Sequence, residues 1–284
     1  MLRVPVLEKT PQGLALYIDD ATHFVFCGKK PMRWLGGRCA NGYHEPIMSQ
    51  LLIEYLRAHP TAVFFDVGAL FGYFGLLALA VSKGEAKIFE FEMNPRAFAA
   101  LNENFAANTH LRREAIVAFQ GAVGDIEATQ QMTKYKGMTV DSTDTRARQV
   151  PMDFLTLDGF CRRQHISPDL MKIDVEGYEG KILNGARRVM RESDTVTMLE
   201  LHSNSKLKAS GITRCELLEN LLGDGWGLYY FGRHRYESSV PVRRLSREYL
   251  NANRTYFDSR GDDLVVISKK DIRTHWPQLE FVES

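Results

Sequence analysis

Blocks of apolar positions separated by polar turns predict alternating strands and helices. Residues 63–65 form a short apolar run typical of a buried strand, and residues 73–81 are apolar almost all round, as expected of a helix packed on a sheet. A second strand is predicted at 87–92. The first strand and the helix are joined by residues 66–72, Asp-Val-Gly-Ala-Leu-Phe-Gly. This strand, glycine turn, helix and strand are typical of the half-fold that builds nucleotide-type cofactor sites.

The same alternation continues along the chain and predicts an α/β fold with a mostly parallel sheet. Further helices are predicted at 45–58, 95–107, 154–163, 180–192 and 213–222, and further strands at 115–120, 169–174, 195–201, 227–231 and 264–268. Residues 1–60, with two short strands at 14–18 and 22–26, are interpreted as an N-terminal extension of a 61–284 domain. A polar stretch at 126–150 predicts a hairpin excursion from that domain.

The turn after the first strand has the features of a ligand site. Gly68 and Gly72 would let the backbone approach a ligand without an intervening Cβ. Glu92 ends the second strand, 26 positions beyond Asp66, where doubly wound folds commonly place the acid that binds ribose hydroxyls. The GxGxxG pattern of NAD sites is absent, and D-x-G-x-x-x-G is closer to class I S-adenosylmethionine sites. Asp66 is then expected to engage the cationic end of the ligand. A Rossmann-like core with a tight turn and no ligand is the structural alternative.

A second group of polar residues follows two later strands, and it is predicted to meet the cofactor at the same edge of the sheet. Asp174 and Glu176 follow the strand at 169–174, and Glu200 and His202 end the strand at 195–201. One of them could remove a proton from a substrate hydroxyl. Alternatively, Asp174 and Glu200 could hold a cation such as Mg²⁺. The simpler alternative is that Glu200 or Glu176 pairs with a neighbouring Lys or Arg and only shapes the edge of the site.

Composition narrows the function classes. The 284-residue chain is 44% hydrophobic and 25% charged with a net charge of +1, which gives no overall case for nucleic-acid binding. No apolar run of about 18 residues and no signal-peptide pattern is present, so a cytoplasmic protein is predicted. The four cysteines show no C-x-x-C spacing, which indicates reduced thiols rather than a zinc site or a disulfide framework.

The segment 231–263 is rich in arginine and aromatic residues. Because the planar guanidinium group binds phosphates and carboxylates and stacks on rings, the segment is interpreted as a lid over an anionic or sugar substrate. A solvated decoration of the fold explains the same composition equally well. The composition would also suit RNA.

Four motifs carry a family resemblance. They are Phe65-Asp66-Val67-Gly68-Ala69, Phe91-Glu92-x-Asn94-Pro95, Thr156-Leu157-Asp158 and Met171-Lys172-Ile173-Asp174-Val175-Glu176-Gly177-Tyr178-Glu179. Together they resemble the FkbM family of S-adenosylmethionine-dependent methyltransferases. The resemblance implies a class I methyltransferase fold, which is a Rossmann-like, mostly parallel seven-stranded sheet with helices on both faces. It also implies O-methylation of a sugar, glycan or polyketide-type hydroxyl.

The resemblance also assigns roles to residues. It places Asp66, Gly68, Ala69 and Gly72 at the methionine moiety, Glu92 at the ribose, Gly121, Ala122 and Val123 at the adenine, and Asp174 at the methyl-transfer point, and it counts Met93 among the cofactor-binding residues. Three positions depart from the family pattern, since Leu70, Met93 and Gly75 stand where Asn, Pro and Thr or Ser are usual. An RNA methyltransferase and a catalytically silent cofactor-binding or scaffold protein are the alternatives.

Overall fold

The structure is a computed structural model that describes residues 4–39, 42–135, 138–140, 148–232, 234–235 and 239–282. The strands in this part of the chain are β1 (Val6–Thr10), β2 (Gly13–Tyr17), β3 (His23–Phe26), β4 (Val63–Val67), β5 (Lys87–Glu92), β6 (Ile116–Gln120), β7 (Ala122–Val123), β8 (Ala128–Tyr135), β9 (Met138–Val140), β10 (Arg148–Leu155), β11 (Leu170–Ile173), β12 (Val196–Leu201), β13 (Gly227–Gly232), β14 (Val242–Arg244), β15 (Asp263–Ser268) and β16 (Phe281–Val282).

The α-helices are α1 (Lys29–Arg38), α2 (Pro46–Ala58), α3 (Tyr73–Val81), α4 (Pro95–Ala107), α5 (Leu157–Gln164), α6 (Glu179–Gly185), α7 (Arg187–Glu192), α8 (Asn204–Leu207), α9 (Arg214–Gly223), α10 (Arg247–Ala252) and α11 (Arg254–Ser259). Short 3₁₀ turns lie at Arg113–Ala115, Lys208–Ser210 and Ile272–Thr274. Within the described ranges, no helix is long and apolar enough to cross a lipid bilayer.

The central sheet has the strand order β16-β14-β13-β15-β12-β11-β4-β5-β6. Strands β6, β5, β4, β11 and β12 are parallel, and β15 runs antiparallel between β12 and β13. These seven strands confirm the predicted class I fold. The sheet as a whole has nine strands rather than seven, because β14 and β16 extend its edge beyond β13. Both added strands are too short for the apolar pattern to predict them.

Helices cover both faces of the sheet, as alternate residues of β4 show. Phe64 packs into a core with residues of α2, α3 and α4, whereas Phe65 and Val67 pack into a core with residues of α5, α6, α7 and α9. The three-stranded sheet β1-β2-β3 adds to the first of these cores. The amides of Asn104 and Asn108 on α4 hydrogen-bond the backbone of β3 and its flank, so this outer sheet is attached to the domain.

Some boundaries differ from those predicted. The helix predicted at 154–163 begins only at Leu157, because residues 148–155 pair as a strand and Thr156 caps the helix with its hydroxyl. The helix predicted at 180–192 is two helices that meet at Ala186. In the 126–150 segment, β8 pairs antiparallel with β9 and β10, and residues 136–137 and 141–147 lie outside the described part.

Candidate active site

A row of three ionisable side chains crosses the middle of the sheet under α3. Asp66 of β4 lies in register with Glu90 of β5 on one side and Lys172 of β11 on the other. Lys172 donates to Asp66 Oδ1 at 2.9 Å, and its Nζ lies 4.9 Å from the ring centroid of Phe74 on α3. All three charged groups are buried. The apolar helix therefore covers a polar row as well as hydrophobic side chains.

Asp66 lies inside the strand, not in the turn where the sequence pattern placed it. Its carboxylate is 0% exposed and its charge is matched by Lys172. Burial raises the pKa of Asp66, and the Lys172 ammonium opposes that shift. The carboxylate is therefore not free in this structure, and its assignment to the methionine moiety stays a prediction.

Within the described part of the chain, neither carboxylate oxygen of Glu90 has a hydrogen-bond partner, and burial raises the pKa of Glu90 well above the usual range. A Cβ built on Gly75 of α3 would lie only 2.1 Å from Glu90 Oε1. Glycine at position 75 therefore provides the room for the Glu90 carboxyl group. This contact explains one departure from the family pattern, since a Thr or Ser at position 75 would collide with Glu90.

The turn after β4 uses left-handed backbone three times. Gly68 has φ of 90°, and a Cβ there would lie 1.9 Å from the carbonyl oxygen of Asp174. Gly72 also has positive φ and faces the ring of Phe105. Leu70 has φ of 51° and an exposed side chain, so a conformation that costs a non-glycine residue about 1–2 kcal/mol is imposed on it. Position 70 does need the left-handed backbone.

The carboxylate of Glu92 is held against this turn. The backbone N–H of Leu70 donates to Oε2 at 2.8 Å, and that of Asn94 donates to Oε1 at 2.6 Å. Burial raises the pKa of Glu92 to about 7, against the two N–H donors, which favour the ionised form. Each oxygen keeps a second lone pair, so the carboxylate can still accept hydrogen bonds from a diol. Its geometry fits the predicted ribose role, which stays a prediction.

The predicted adenine residues lie in or next to a separate four-stranded sheet of order β7-β10-β8-β9. The backbone N–H of Gly121 donates to the Glu92 carbonyl at 3.2 Å, and Ala122 and Val123 form β7 against β10. Met93 packs on a small apolar cluster. The buried members of that cluster are Ala122, Met132, Met152 and Phe154. Methionine at position 93 therefore belongs to the packing of the excursion, which accounts for a second departure from the family pattern.

His202 is the centre of the second group. Its Nδ1 contacts the buried carboxylate of Glu179, while its Nε2 lies 3.6 Å from Asp174 Oδ1 and 3.7 Å from Glu176 Oε2. Burial lowers the pKa of His202, but the hydrogen bond and charge of Glu179 outweigh burial and raise it. Glu179 thus orients the ring so that Nε2 faces the acids that follow β11.

The two acids after β11 have different surroundings. The pKa of Asp174 is held below its usual value, because the nearby Lys172 and His202 charges outweigh burial. Asp174 is 22% exposed and Glu176 is 49% exposed. Glu176 has φ of 57° and pairs with Lys206 at 2.6 Å. The structure therefore brings Asp174, Glu176 and His202 together, with Asp174 as the more enclosed acid.

Comparison with known proteins now adds the family. The sequence profile of the methyltransferase FkbM domain matches residues 66–235, which is 170 of the 284 residues. The chain belongs to the FkbM methyltransferase family. This match confirms the predicted family and enzyme class, an S-adenosylmethionine-dependent methyltransferase. A comparison with curated proteins gave no match.

Several solved structures are similar to this FkbM-family chain. An FkbM methyltransferase from Methylobacillus flagellatus is 16% identical with a TM-score of 0.47, over 73% of this chain and 44% of that one. This chain thus spans less than half of that protein. An O-methyltransferase from Bacillus cereus in complex with SAH is 9% identical, with a TM-score of 0.47 over 84% and 88% of the two chains. SAH-bound PaMTH1 from Podospora anserina is 13% identical, with a TM-score of 0.43 over 79% and 78%.

Several residues of the site have no counterpart in the sequence prediction. Arg214, the first residue of α9, is completely buried and binds Asp263 at 2.6 Å. It also donates to the carbonyl oxygens of Leu201 and His202, at 2.5 and 2.8 Å. Arg214 therefore fixes the end of β12 and with it the position of His202. An arginine among the apolar positions of a helix was the available signal.

Glu200 leads to a further buried group in this FkbM-family chain. Arg235 donates through Nε to Glu200 Oε1 at 2.6 Å. This is the ion pair that the simpler alternative for Glu200 predicted. Glu45, which precedes α2, and His234 are both buried beside Glu200. Burial raises the pKa of Glu45 to about 7 and lowers that of His234 to about 4. The sequence pattern gave no reason to join positions 45 and 234.

The arginines of the 231–263 segment mostly pair within the fold. Arg254 contacts Glu219, and Arg260 binds Asp263 at 2.8 Å. Arg235 is the arginine that reaches the candidate site. Position 233 and residues 236–238 lie outside the described part of the segment. The predicted lid function stays a prediction.

A cavity of about 460 Å³ lies away from this site between α6, α7 and α9. Its lining includes Leu183, Met190, Leu217 and Trp226, and none of the predicted site residues. The candidate site is therefore defined by the side chains at the ends of the strands and not by this cavity.

Proposed function

We propose that this protein transfers the methyl group of S-adenosylmethionine to a hydroxyl of a sugar, glycan or polyketide-type small molecule. The observation that carries the proposal is the arrangement of Glu179, His202 and Asp174 beyond β11 and β12. It places an oriented imidazole nitrogen next to an ionised acid at the sheet edge where α/β folds bind their ligands. Family membership supplies the reaction class.

S-adenosylmethionine, when bound, supplies an electrophilic methyl group on a sulfonium. In this proposal Glu92 accepts hydrogen bonds from the ribose hydroxyls, and the turn at Gly68 carries the ligand over the end of β4. Leu70, the third departure from the family pattern, does not conflict with the ribose role of Glu92. The Glu92 carboxylate accepts a hydrogen bond from the backbone N–H of Leu70, which any side chain at position 70 would leave in place. Asp66 would act through Lys172 and shape the floor of the site.

His202 Nε2 is the proposed acceptor of the hydroxyl proton. S-adenosylmethionine would supply the methyl group, and the hydroxyl oxygen that receives it would lose its proton to His202 Nε2. Glu179 stabilises the imidazolium that results, and Asp174 aligns the hydroxyl. General-base assistance of this kind contributes about 10²–10⁴-fold in rate.

Two measurements test the proposal. Calorimetry with S-adenosylmethionine should show saturable binding, and formation of S-adenosylhomocysteine should rise with sugar, glycan or polyketide-type alcohols but not with RNA. His202→Gln should keep cofactor affinity and lose about 10²–10⁴-fold in turnover. His275→Gln, a partly buried histidine elsewhere, is the matched control.

Each alternative has its own result. No binding at millimolar cofactor would favour a silent scaffold protein, and turnover with RNA alone, falling steeply with salt, would favour an RNA methyltransferase. Unchanged turnover in His202→Gln would remove His202 from the mechanism. A cytoplasmic location stays a prediction, consistent with the four free cysteines.

A further inference from the structure

Three buried side chains from distant parts of the chain meet beside the candidate active site. Glu45 precedes α2, Glu200 belongs to β12, and His234 follows β13. All three are buried, and one potential ligand atom from each lies within 4.8 Å of the other two. His234 Nε2 is 3.6 Å from Glu200 Oε1. Three separate elements therefore present ligand-type atoms to one small volume.

The polar atoms of this group lack partners in the part of the chain that the structure describes. Glu45 Oε2, Glu200 Oε2 and both ring nitrogens of His234 are buried without a hydrogen bond of ordinary geometry, although the Asp174 carboxylate lies near the Glu200 carboxyl group and the Gly232 carbonyl lies near the His234 ring. An unpaired buried polar atom typically costs about 1–3 kcal/mol. Four such atoms in one place favour the binding of a further ligand. In addition, Glu45 has a left-handed backbone with φ of 47°, a conformation that a non-glycine residue keeps only where the surrounding structure imposes it.

We propose that Glu45, Glu200 and His234 bind a divalent transition-metal cation. Two carboxylates supply two negative charges, and the imidazole supplies a nitrogen ligand. Imidazole together with carboxylate suits Zn²⁺, Mn²⁺, Co²⁺ or Fe²⁺ better than Mg²⁺ or Ca²⁺, which prefer oxygen ligands. Ligand atoms 2.0–2.2 Å from a metal lie roughly 3–4.4 Å apart. The His234 Nε2–Glu200 Oε1 distance of 3.6 Å falls in this range, and the remaining ligand atoms, within 4.8 Å, would draw together around the metal.

Arg235 is the competing cation. Its Nε lies 2.6 Å from Glu200 Oε1 and 3.8 Å from Glu45 Oε1. The guanidinium therefore neutralises part of the carboxylate charge. Among the described contacts, however, it reaches one oxygen of each carboxylate, and in that part of the chain the other oxygens and the ring of His234 have no hydrogen-bond partner of ordinary geometry. Neutralisation by Arg235 does not explain the buried imidazole.

A second set of possible ligands shares Glu200. Ligand atoms of Asp174, Glu200 and His202 also lie within 4.8 Å of one another. In that set Nδ1 of His202 is bound by Glu179, and Asp174 faces Lys172 at 3.8 Å. The set with Glu45 and His234 is favoured because its members are all buried and each has an unpartnered atom. Variants can separate the two sets, since only Glu200 is common to both.

Binding is measured on the full chain without tag, methyl donor or acceptor, so the result does not depend on methyl transfer. Chelator-treated protein is dialysed against Zn²⁺, Mn²⁺ or Co²⁺, and bound metal is counted by mass spectrometry. One equivalent per chain is expected. Glu45→Gln and His234→Gln should each lower the metal affinity by about 10- to 100-fold. Glu90→Gln, another buried unpartnered carboxyl group, and His202→Gln should leave the affinity unchanged.

Three outcomes would overturn the proposal. The first is the absence of saturable binding at millimolar cation. The second is equal metal affinity in the wild type and both ligand variants. The third is loss of metal binding in His202→Gln but not in His234→Gln. Circular dichroism shows whether each variant folds. If neither ligand variant folds, pulsed electron paramagnetic resonance of Mn²⁺-loaded His202→Gln decides the question. An imidazole nitrogen on the metal supports the site, and coordination by oxygen alone contradicts it.

Discussion

Gly75 on α3 faces Glu90 on β5 so closely that no Cβ fits between them. A Cβ at position 75 would lie 2.1 Å from Oε1 and 2.5 Å from Cδ of the glutamate. The two residues therefore depend on each other, and the unusual glycine is explained by the unusual buried acid. A glycine in a helix otherwise costs about 0.5–1 kcal/mol relative to alanine.

Gly75→Ala is accordingly expected to destabilise the protein by about 1–3 kcal/mol through overpacking. In a Glu90→Ala background the same change should be neutral or stabilising, because the colliding carboxyl group is gone. Urea unfolding of the four proteins in this double-mutant cycle measures the coupling. Gly37→Ala is the control, since nothing lies within 4 Å of a Cβ there and α1 should gain stability. Additive effects of Gly75→Ala and Glu90→Ala would contradict the dependence.

Lys172→Met should lower the free energy of unfolding by about 3–5 kcal/mol, because Asp66 would remain as an uncompensated buried charge. The double variant Asp66→Asn with Lys172→Met should recover most of the loss. Lys270→Met is the control, since Lys270 pairs with Asp194 at the surface and should change stability little. The measurement is again urea unfolding. A double variant as unstable as Lys172→Met alone would show that the pair is not the cause.

The sequence pattern was sufficient for the sheet core and for the elements that carry the site. The apolar runs of β4, α3 and β5 are buried along most of their length, and such runs are visible in the sequence. The pairing of Asp66 with Lys172 was not predictable, because 106 positions separate them and register between strands decides the contact. A lysine within the apolar strand Leu170–Ile173 was the signal that such a partner exists.

The approach of Glu45 and His234 to Glu200 also could not be predicted from the pattern of apolar and polar residues. Glu45 reaches the site through a left-handed backbone at the start of α2, and His234 follows a strand at the other end of the domain. Neither position belongs to a periodic motif. Such contacts depend on how the N-terminal extension and the sheet edge pack together, which alternation of apolar and polar residues does not encode.

Glu179→Gln should lower the pKa of His202. The wild-type value is expected above 6.5, because the Glu179 carboxylate favours the imidazolium more than burial disfavours it. Nuclear magnetic resonance of the imidazole carbons gives the pKa without any substrate, and His202→Gln assigns the signal. His275, whose pKa burial lowers, serves as an internal control that should not move. An unchanged His202 pKa in Glu179→Gln would mean that Glu179 does not position the ring as a base.

Affinity for S-adenosylmethionine should increase with pH through about 7, the pKa of Glu92. The ionised carboxylate accepts hydrogen bonds from both ribose hydroxyls, whereas the protonated acid loses acceptor capacity. The increase between pH 6 and 8 should reach up to about tenfold. The folded state binds the Glu92 proton more tightly than the unfolded chain, in which the pKa of this carboxyl group is near 4.5. The contribution of Glu92 to the free energy of unfolding is therefore fully present below pH 4.5 and is lost as the pH rises through 7.

The amino group of the ligand also titrates in this range, so calorimetry of Glu92→Gln is the matched control. The variant should bind more weakly at pH 8 and keep only the pH dependence of the ligand itself. The difference between the two pH profiles then isolates Glu92, which the backbone N–H groups of Leu70 and Asn94 hold in place. Identical pH profiles for wild type and Glu92→Gln would show that the ligand does not contact this carboxylate, and the ribose assignment would have to move to another residue.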